Sequence, residues 1–186
     1  MQHRHVLLLV CLLLIVSCTE QQNVRVPSHQ PVPAATRNVG SNGLDGDEEQ
    51  AILSYHNQVR ASVGVPPLVW SKEVAQHATD WSARLATQGC TIQHSQDNGY
   101  GENIFMGTAN QGHDAVIEAA KTWESEKVNF SGEALNKSVW SQAGHYTQMV
   151  WRDTSDLGCA KASCGDNLIV VCNYKPAGNI LGEKPY

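Results

Sequence analysis

Four cysteines, Cys90, Cys159, Cys164 and Cys172, constrain what this chain can fold into more than any other feature. In an oxidising compartment they can close two disulfides, and in a reducing one they would stay as thiols. The N-terminus indicates the compartment. Met1 to His5 is short and basic, and Val6 to Val16 is an unbroken apolar run. That run is too short to span a bilayer and fits the core of a signal peptide, so residues 1–17 are expected to be removed together with Cys11.

The run ends in Ile15-Val16-Ser17-Cys18, the pattern of a bacterial lipobox. Cys18 is therefore expected to be lipidated and to become the mature N-terminus, the other reading being an ordinary signal cleavage nearby. Parity agrees, because lipidation of Cys18 leaves an even set of four cysteines. Four cysteines allow three pairings, and spacing does not choose among them.

At 186 residues the chain suits one domain with a proper core. The formal net charge is −5, and loss of residues 1–17 removes only Arg4 and leaves −6. No Lys/Arg cluster is present, which argues against a nucleic-acid partner. It also argues against a polybasic membrane patch, so membrane attachment is expected only through the N-terminal lipid.

Thr19 to Gly46 is rich in Gln, Asn, Pro, Ser and Gly, and residues 18–46 are expected to form a flexible linker. The folded domain is expected over residues 47–186. Asp47 with Gln50 makes a plausible capping box. Ile52, Tyr55, His56, Val59 and Val63 follow at helical spacing, with Gly64 to end the helix and Pro66-Pro67 to block continuation. Ser71 caps a second helix carrying Val74, Ala78, Trp81 and Leu85, which ends at Gly89. Gly101 to Met106 reads as a strand. A third helix opens near Asp114 with Val116, Ala119 and Trp123 on its inner face, and Phe130 to Ala143 reads as polar and irregular. Thr147 to Trp151 is short enough to be helix or buried strand. Leu157 to Ala162 and Leu168 to Tyr174 flank the turn signal Gly165-Asp166-Asn167 and predict a hairpin. Helices alternating with an antiparallel hairpin predict an α+β sandwich.

Six pieces of the chain, in order, resemble the CAP superfamily of cysteine-rich secretory, antigen 5 and pathogenesis-related proteins. They are His56-Asn57-Gln58-Val59-Arg60 with Gly64 to Trp70, Cys90 to Ser95, Gly101-Glu102-Asn103-Ile104, Trp123-Glu124-Ser125-Glu126, Gly144 to Trp151, and Val171 to Ile180. The resemblance covers about residues 48–182. It implies an αβα sandwich with a small, mainly antiparallel sheet between helical layers, and disulfides Cys90–Cys164 and Cys159–Cys172. It also implies a cavity of two histidines and two acidic residues, here His94, Glu102, Glu126 and His145, where members of the family bind Zn²⁺ or similar ions. Plant members carry a further cysteine pair just before the His-Tyr-Thr-Gln stretch, where this chain has Trp140 and Ala143, so that rim is expected to be less constrained.

Neutral imidazoles suit Zn²⁺, and a glutamate accepting the other ring N–H of a ligating histidine would fix its tautomer. Two histidines fall short of the three protein ligands usual in catalytic zinc sites, and no His-Glu-x-x-His helix makes up the difference. The expected function is therefore that of an exported, extracellular or envelope-anchored, non-enzymatic protein. Its cleft would hold Zn²⁺ or another divalent cation, with sterol or lipid as candidate ligands and interaction with a host or another organism as a candidate role. The alternative is a metal-assisted peptidase or esterase. Ser95 and Thr147 adjoin the two histidines, but no nucleophile elbow surrounds either. His56, Asn57 and Arg60 are expected to hold the fold, and His77 and His113 to lie at the surface. Trp70, Trp81, Trp123 and Trp151 are expected in the core, and Tyr146 and Gln148 either in the core or along the cavity.

Overall fold

The computed structural model describes residues 39–96 and 99–186. The expected signal peptide, Cys18 and most of the linker lie outside the described residues, as does the side chain of His113.

Helix α1 spans Gly46–Ser62, and its N-cap is Asp45 rather than Asp47. The capping box is Asp45 with Glu48: the Glu48 amide donates to the Asp45 carboxylate and the Asp45 amide to the Glu48 carboxylate, each at 2.9 Å. The linker reading accordingly fails for residues 40–45. Leu44 is buried at 1 % exposure, and the Lys161 amide donates to the Asn42 carbonyl at 2.8 Å. A short stretch of polar composition is held down by one apolar anchor and its backbone bonds.

Strand β1 is the two-residue Val69–Trp70, followed by α2 at Lys72–Thr87 with Ser71 as N-cap. Strand β2 is Gly101–Thr108, and α3 is Ala115–Ser125, with Val116, Ala119 and Trp123 buried. Helix α4 is Lys137–Met149. It replaces the second half of the irregular stretch expected up to Ala143 and resolves Thr147 to Met149 as helix. Asn136 caps it by accepting from the Ser138 and Val139 amides. Leu135 and Val139, four residues apart within the polar run, bury with Trp151 in a small apolar cluster. Strands β3, Asp156–Cys164, and β4, Asn167–Lys175, form the expected hairpin, with Gly165 at φ +66° in its turn.

The sheet order is β1-β3-β4-β2, antiparallel except for the short β1–β3 pair. Alternate residues of β4 face opposite layers. Leu168, Val170, Cys172 and Tyr174 join the cluster built with α1, α3 and α4, whereas Ile169 and Val171 join the one built with α2. The architecture is an α+β sandwich. On the α2 side the approach is close, because a Cβ on Gly158 would lie 2.0 Å from the Ala75 backbone nitrogen. Cys90 is bonded to Cys164 and Cys159 to Cys172, with Cα separations of 6.0 and 4.1 Å. The second pair joins directly opposed residues of the hairpin.

Arg60 holds three segments together. Its buried guanidinium donates to the carbonyls of Pro66, Met149, Trp151 and Thr154 at 2.6–3.0 Å. Asn57 does the same locally by pairing with both backbone groups of Leu68. Among the tryptophans, Trp123 and Trp151 are in the core, while Trp70 and Trp81 are only half-buried at its edge.

Candidate functional site: a cleft of two histidine–glutamate pairs

Helix α4 is interrupted just before His145. Ala143 departs from helical geometry at φ −139°, so the amides that follow need other acceptors. Glu126 supplies them: its Oε2 accepts from the His145 amide at 2.9 Å and the Tyr146 amide at 3.3 Å. Its Oε1 lies 2.6 Å from His145 Nδ1. Trp123, one turn before Glu126 in sequence, stacks on the His145 ring at 6.2 Å between centroids. The Trp-x-x-Glu spacing thus serves a single imidazole.

The second pair is built differently. Glu102, near the start of β2, accepts from the Ser95 amide at 2.9 Å and lies 2.8 Å from His94 Nδ1. Burial opposes ionisation of Glu102, but the bonds from His94 and from the Ser95 amide and hydroxyl outweigh it and hold the carboxyl below its usual range. The two pairs line one open cleft of about 320 Å³, together with Asn103, Trp140, Ser141, Gly144 and Asn179. All four residues expected in the cavity are therefore brought together.

Behind each pair runs a relay that sequence reasoning did not find. On one face of the sheet, His77 Nδ1 lies 3.1 Å from Asn173 Oδ1, and the Asn173 amide donates to Glu102 at 3.4 Å. His77 is half-buried and stacks on Tyr100, rather than lying free at the surface as expected. On the other face, His56 Nδ1 donates to the Ile52 carbonyl at 2.8 Å, so its Nε2 accepts from the Tyr174 hydroxyl, also at 2.8 Å. That hydroxyl accepts from Asn103, whose amide also donates to the His145 carbonyl. Burial pushes His56 down to about 4 and raises the Tyr174 phenol above its ordinary value. Asn173-Tyr174 and Asn103 all adjoin or belong to motif residues, which was the only signal available.

The neighbouring hydroxyls are committed elsewhere. Buried Thr147 donates to Asn179 Oδ1 at 2.7 Å, and Ser95 serves Glu102. Among the described residues, no serine or threonine hydroxyl bonds to either cleft histidine, so the pairing a serine nucleophile needs is not formed. Tyr146 and Gln148 are buried: Tyr146 reaches the Tyr186 hydroxyl, and Gln148 accepts the Gly178 amide at 3.0 Å.

The donor set can be compared with what a cation requires. Each carboxylate takes an Nδ1–H, which leaves each Nε2 with its lone pair. Among the described residues neither Nε2 has a hydrogen-bond partner, and no three His, Cys, Asp or Glu side chains are grouped to hold an ion. Two imidazoles fit a water-completed cation site, but not a closed structural zinc site.

Comparison with known proteins assigns this architecture to a class. Residues 53–174 match the family model described as CAP, the cysteine-rich secretory protein family, and the chain belongs to that family. It is 42 % identical over 140 residues to pathogenesis-related protein PRMS of Zea mays, covering 74 % of this chain and 81 % of that one. It is 40 % identical over 141 residues to pathogenesis-related protein 1 of Arabidopsis thaliana, covering 75 % and 83 %. Among solved structures, that of NaASP2 with Zn²⁺ superposes with a TM-score of 0.71 at 31 % identity, covering 80 % of this chain and 90 % of that one.

Proposed function

We propose that this chain is an exported, non-enzymatic CAP-domain protein whose cleft takes a divalent cation through Nε2 of His94 and Nε2 of His145. The observation that carries this reading is the matched pair of Nδ1–carboxylate bonds, which leaves both Nε2 lone pairs available in one cleft. The related NaASP2, 31 % identical, has been crystallised with Zn²⁺, which supports Zn²⁺ as the ion to try first. Such an ion would hold water in its remaining positions and could bind a ligand carboxylate there. Glu102 and Glu126 keep each ring in the tautomer that ligates.

Membership of a secretory family supports export. We further propose that Cys18 carries a lipid that tethers the domain to the outer side of a membrane, and that lipid or sterol is among the ligands the domain meets there.

Isothermal titration with Zn²⁺ tests the cleft. The wild-type domain binds, and the His94→Ala/His145→Ala variant loses at least roughly tenfold in affinity, the lower end of second-partner effects and a minimum for removing both ligands. Equal affinity in the two proteins refutes the reading. Glu102→Gln and Glu126→Gln each weaken binding to a smaller degree.

A further inference from the structure

We propose that a pocket around Trp70, separate from the histidine–glutamate cleft, binds a neutral glycan, two sugar rings at a time. It shares no lining residue with the cleft, and its ligand needs no ion there.

The pocket has two lobes. The larger, of about 310 Å³ and so at the lower end of the range for small-molecule sites, lies between residues 40–42 and α2. The smaller, of about 130 Å³, lies against the N-terminal half of α1 at Gly46, Gln50 and Leu53. Trp70 and Glu49 line both, so one half-buried indole borders each lobe.

Segments far apart in the chain hold the walls. Trp70 ends β1, which pairs with β3, and Ser71 caps α2 immediately after it. Asn42 is buried, and its carbonyl accepts from the Lys161 amide. Its side-chain amide donates to Glu49 Oε1 at 2.7 Å and to the Cys159 carbonyl at 3.3 Å. Gly43 follows at φ +76°, where an added Cβ would strike the Lys161 carbonyl, so glycine is what lets this segment lie so close to β3. The pocket therefore exists before any ligand arrives.

The groups left uncommitted identify the ligand. Asn42 occupies Glu49 Oε1, while Glu49 Oε2 has no hydrogen-bond partner among the described residues. The same holds for the Trp70 indole N–H and for Lys72 Nζ. Gln76 gives an amide proton to Asp80 at 2.9 Å and keeps its carbonyl oxygen. Thr79 gives its hydroxyl proton to the Ala75 carbonyl at 2.7 Å and keeps its lone pairs. Donors and acceptors thus border one space, and the charges of Glu49 and Lys72 balance. A hydroxyl both donates and accepts, so a ring bearing several of them satisfies this mixture while its C–H face lies on the indole. A small ion would satisfy only half of the set, and an alkyl chain would leave every one of these groups unpaired. Two lobes along one indole fit two linked rings.

Magnetic resonance of the isotope-labelled full chain in EDTA tests the site. The probes are cellobiose, maltose, lactose and chitobiose, their monosaccharides, and the tripeptide Gly-Ser-Gly as the competing class. At least one disaccharide is expected to move the Trp70 indole N–H resonance saturably at millimolar concentration, and to bind more tightly than its monosaccharide. The His94→Ala/His145→Ala variant is expected to bind it equally well. Trp70→Phe keeps a ring for the fold but loses the N–H and part of the platform, and it weakens binding several-fold, read from the amides of Gln76 and Thr79. Lys72→Ala, at an exposed position of α2, does the same without touching the core. If no disaccharide moves the Trp70 resonance, or if both variants bind as the wild type does, the site is overturned. If Gly-Ser-Gly binds as tightly as the best disaccharide, the sugar assignment is overturned. Equal affinity for one ring and for two overturns the two-lobe reading.

Discussion

Among single residues, His56 is the one whose chemistry burial changes most. It is fully buried between the Ile52 carbonyl and the Tyr174 hydroxyl, and it stays neutral down to about pH 4. In the unfolded chain the same imidazole takes up a proton near pH 6.5. Below that value the unfolded state binds a proton that the folded state does not, so stability falls as pH drops from about 6.5 towards 4. The shift amounts to about 3 kcal/mol across that window. Urea unfolding at stepped pH is expected to show the decline, and His56→Gln to flatten it even though the variant begins less stable. Glu102 acts in a lower window, since its folded value lies below the ordinary carboxylate range and its contribution goes as pH falls through that value. Residue identity was legible in the motifs for the four cleft side chains. The relays were not legible: nothing in the spacing of His77 and Asn173, or of His56 and Tyr174, says that each pair meets across a helix–sheet interface.

At the scale of elements, the periodic helices and the hairpin could be read from the sequence because their burial patterns repeat every three to four or every two residues. The failures fell where a single residue overrode composition. Asn136 and Leu135 start a helix inside what reads as a polar loop, and Leu44 recruits part of the linker into the domain. The consequence for Leu44 can be measured. Leu44→Ala removes a side chain that is 1 % exposed and packed in the main apolar cluster, so it is expected to cost about 2–4 kcal/mol. Chemical denaturation of the folded domain checks this; a loss near zero would mean that residues 40–45 are only loosely laid on the surface. β1 escaped the sequence reading because two residues carry no period, although the Val69 amide donates to the Ser155 carbonyl and the Ser71 amide to the Leu157 carbonyl.

At the scale of the whole molecule, the sequence carried the family and the cysteine pairing only through resemblance, since four cysteines leave three pairings open. The long-range tie, Cys90–Cys164, fixes the loop bearing His94 to the end of the hairpin, and so bears on the cleft as well as on the fold. The N-terminal tether belongs to this scale too. A lipid on Cys18 would place the domain at a membrane, and detergent-phase partitioning is expected for the wild-type chain and lost in Cys18→Ser. Partitioning that survives the substitution would refute the tether and leave the domain's own chemistry unaffected.

Asn173 and Tyr174 are adjacent on one strand, yet each serves a different half of the cleft from its own face of the sheet. A strand that slipped by one position would turn both side chains over at once. Glu102 would then lose its amide partner while the phenol left Asn103, so a misregistered chain would fail in both halves of the cleft together. Alignment of the hairpin is thereby written twice, once in the apolar alternation and once in the histidine–glutamate cleft. If the cleft takes an ion as proposed, an assay of ion binding doubles as an assay of whether the central strand has paired correctly.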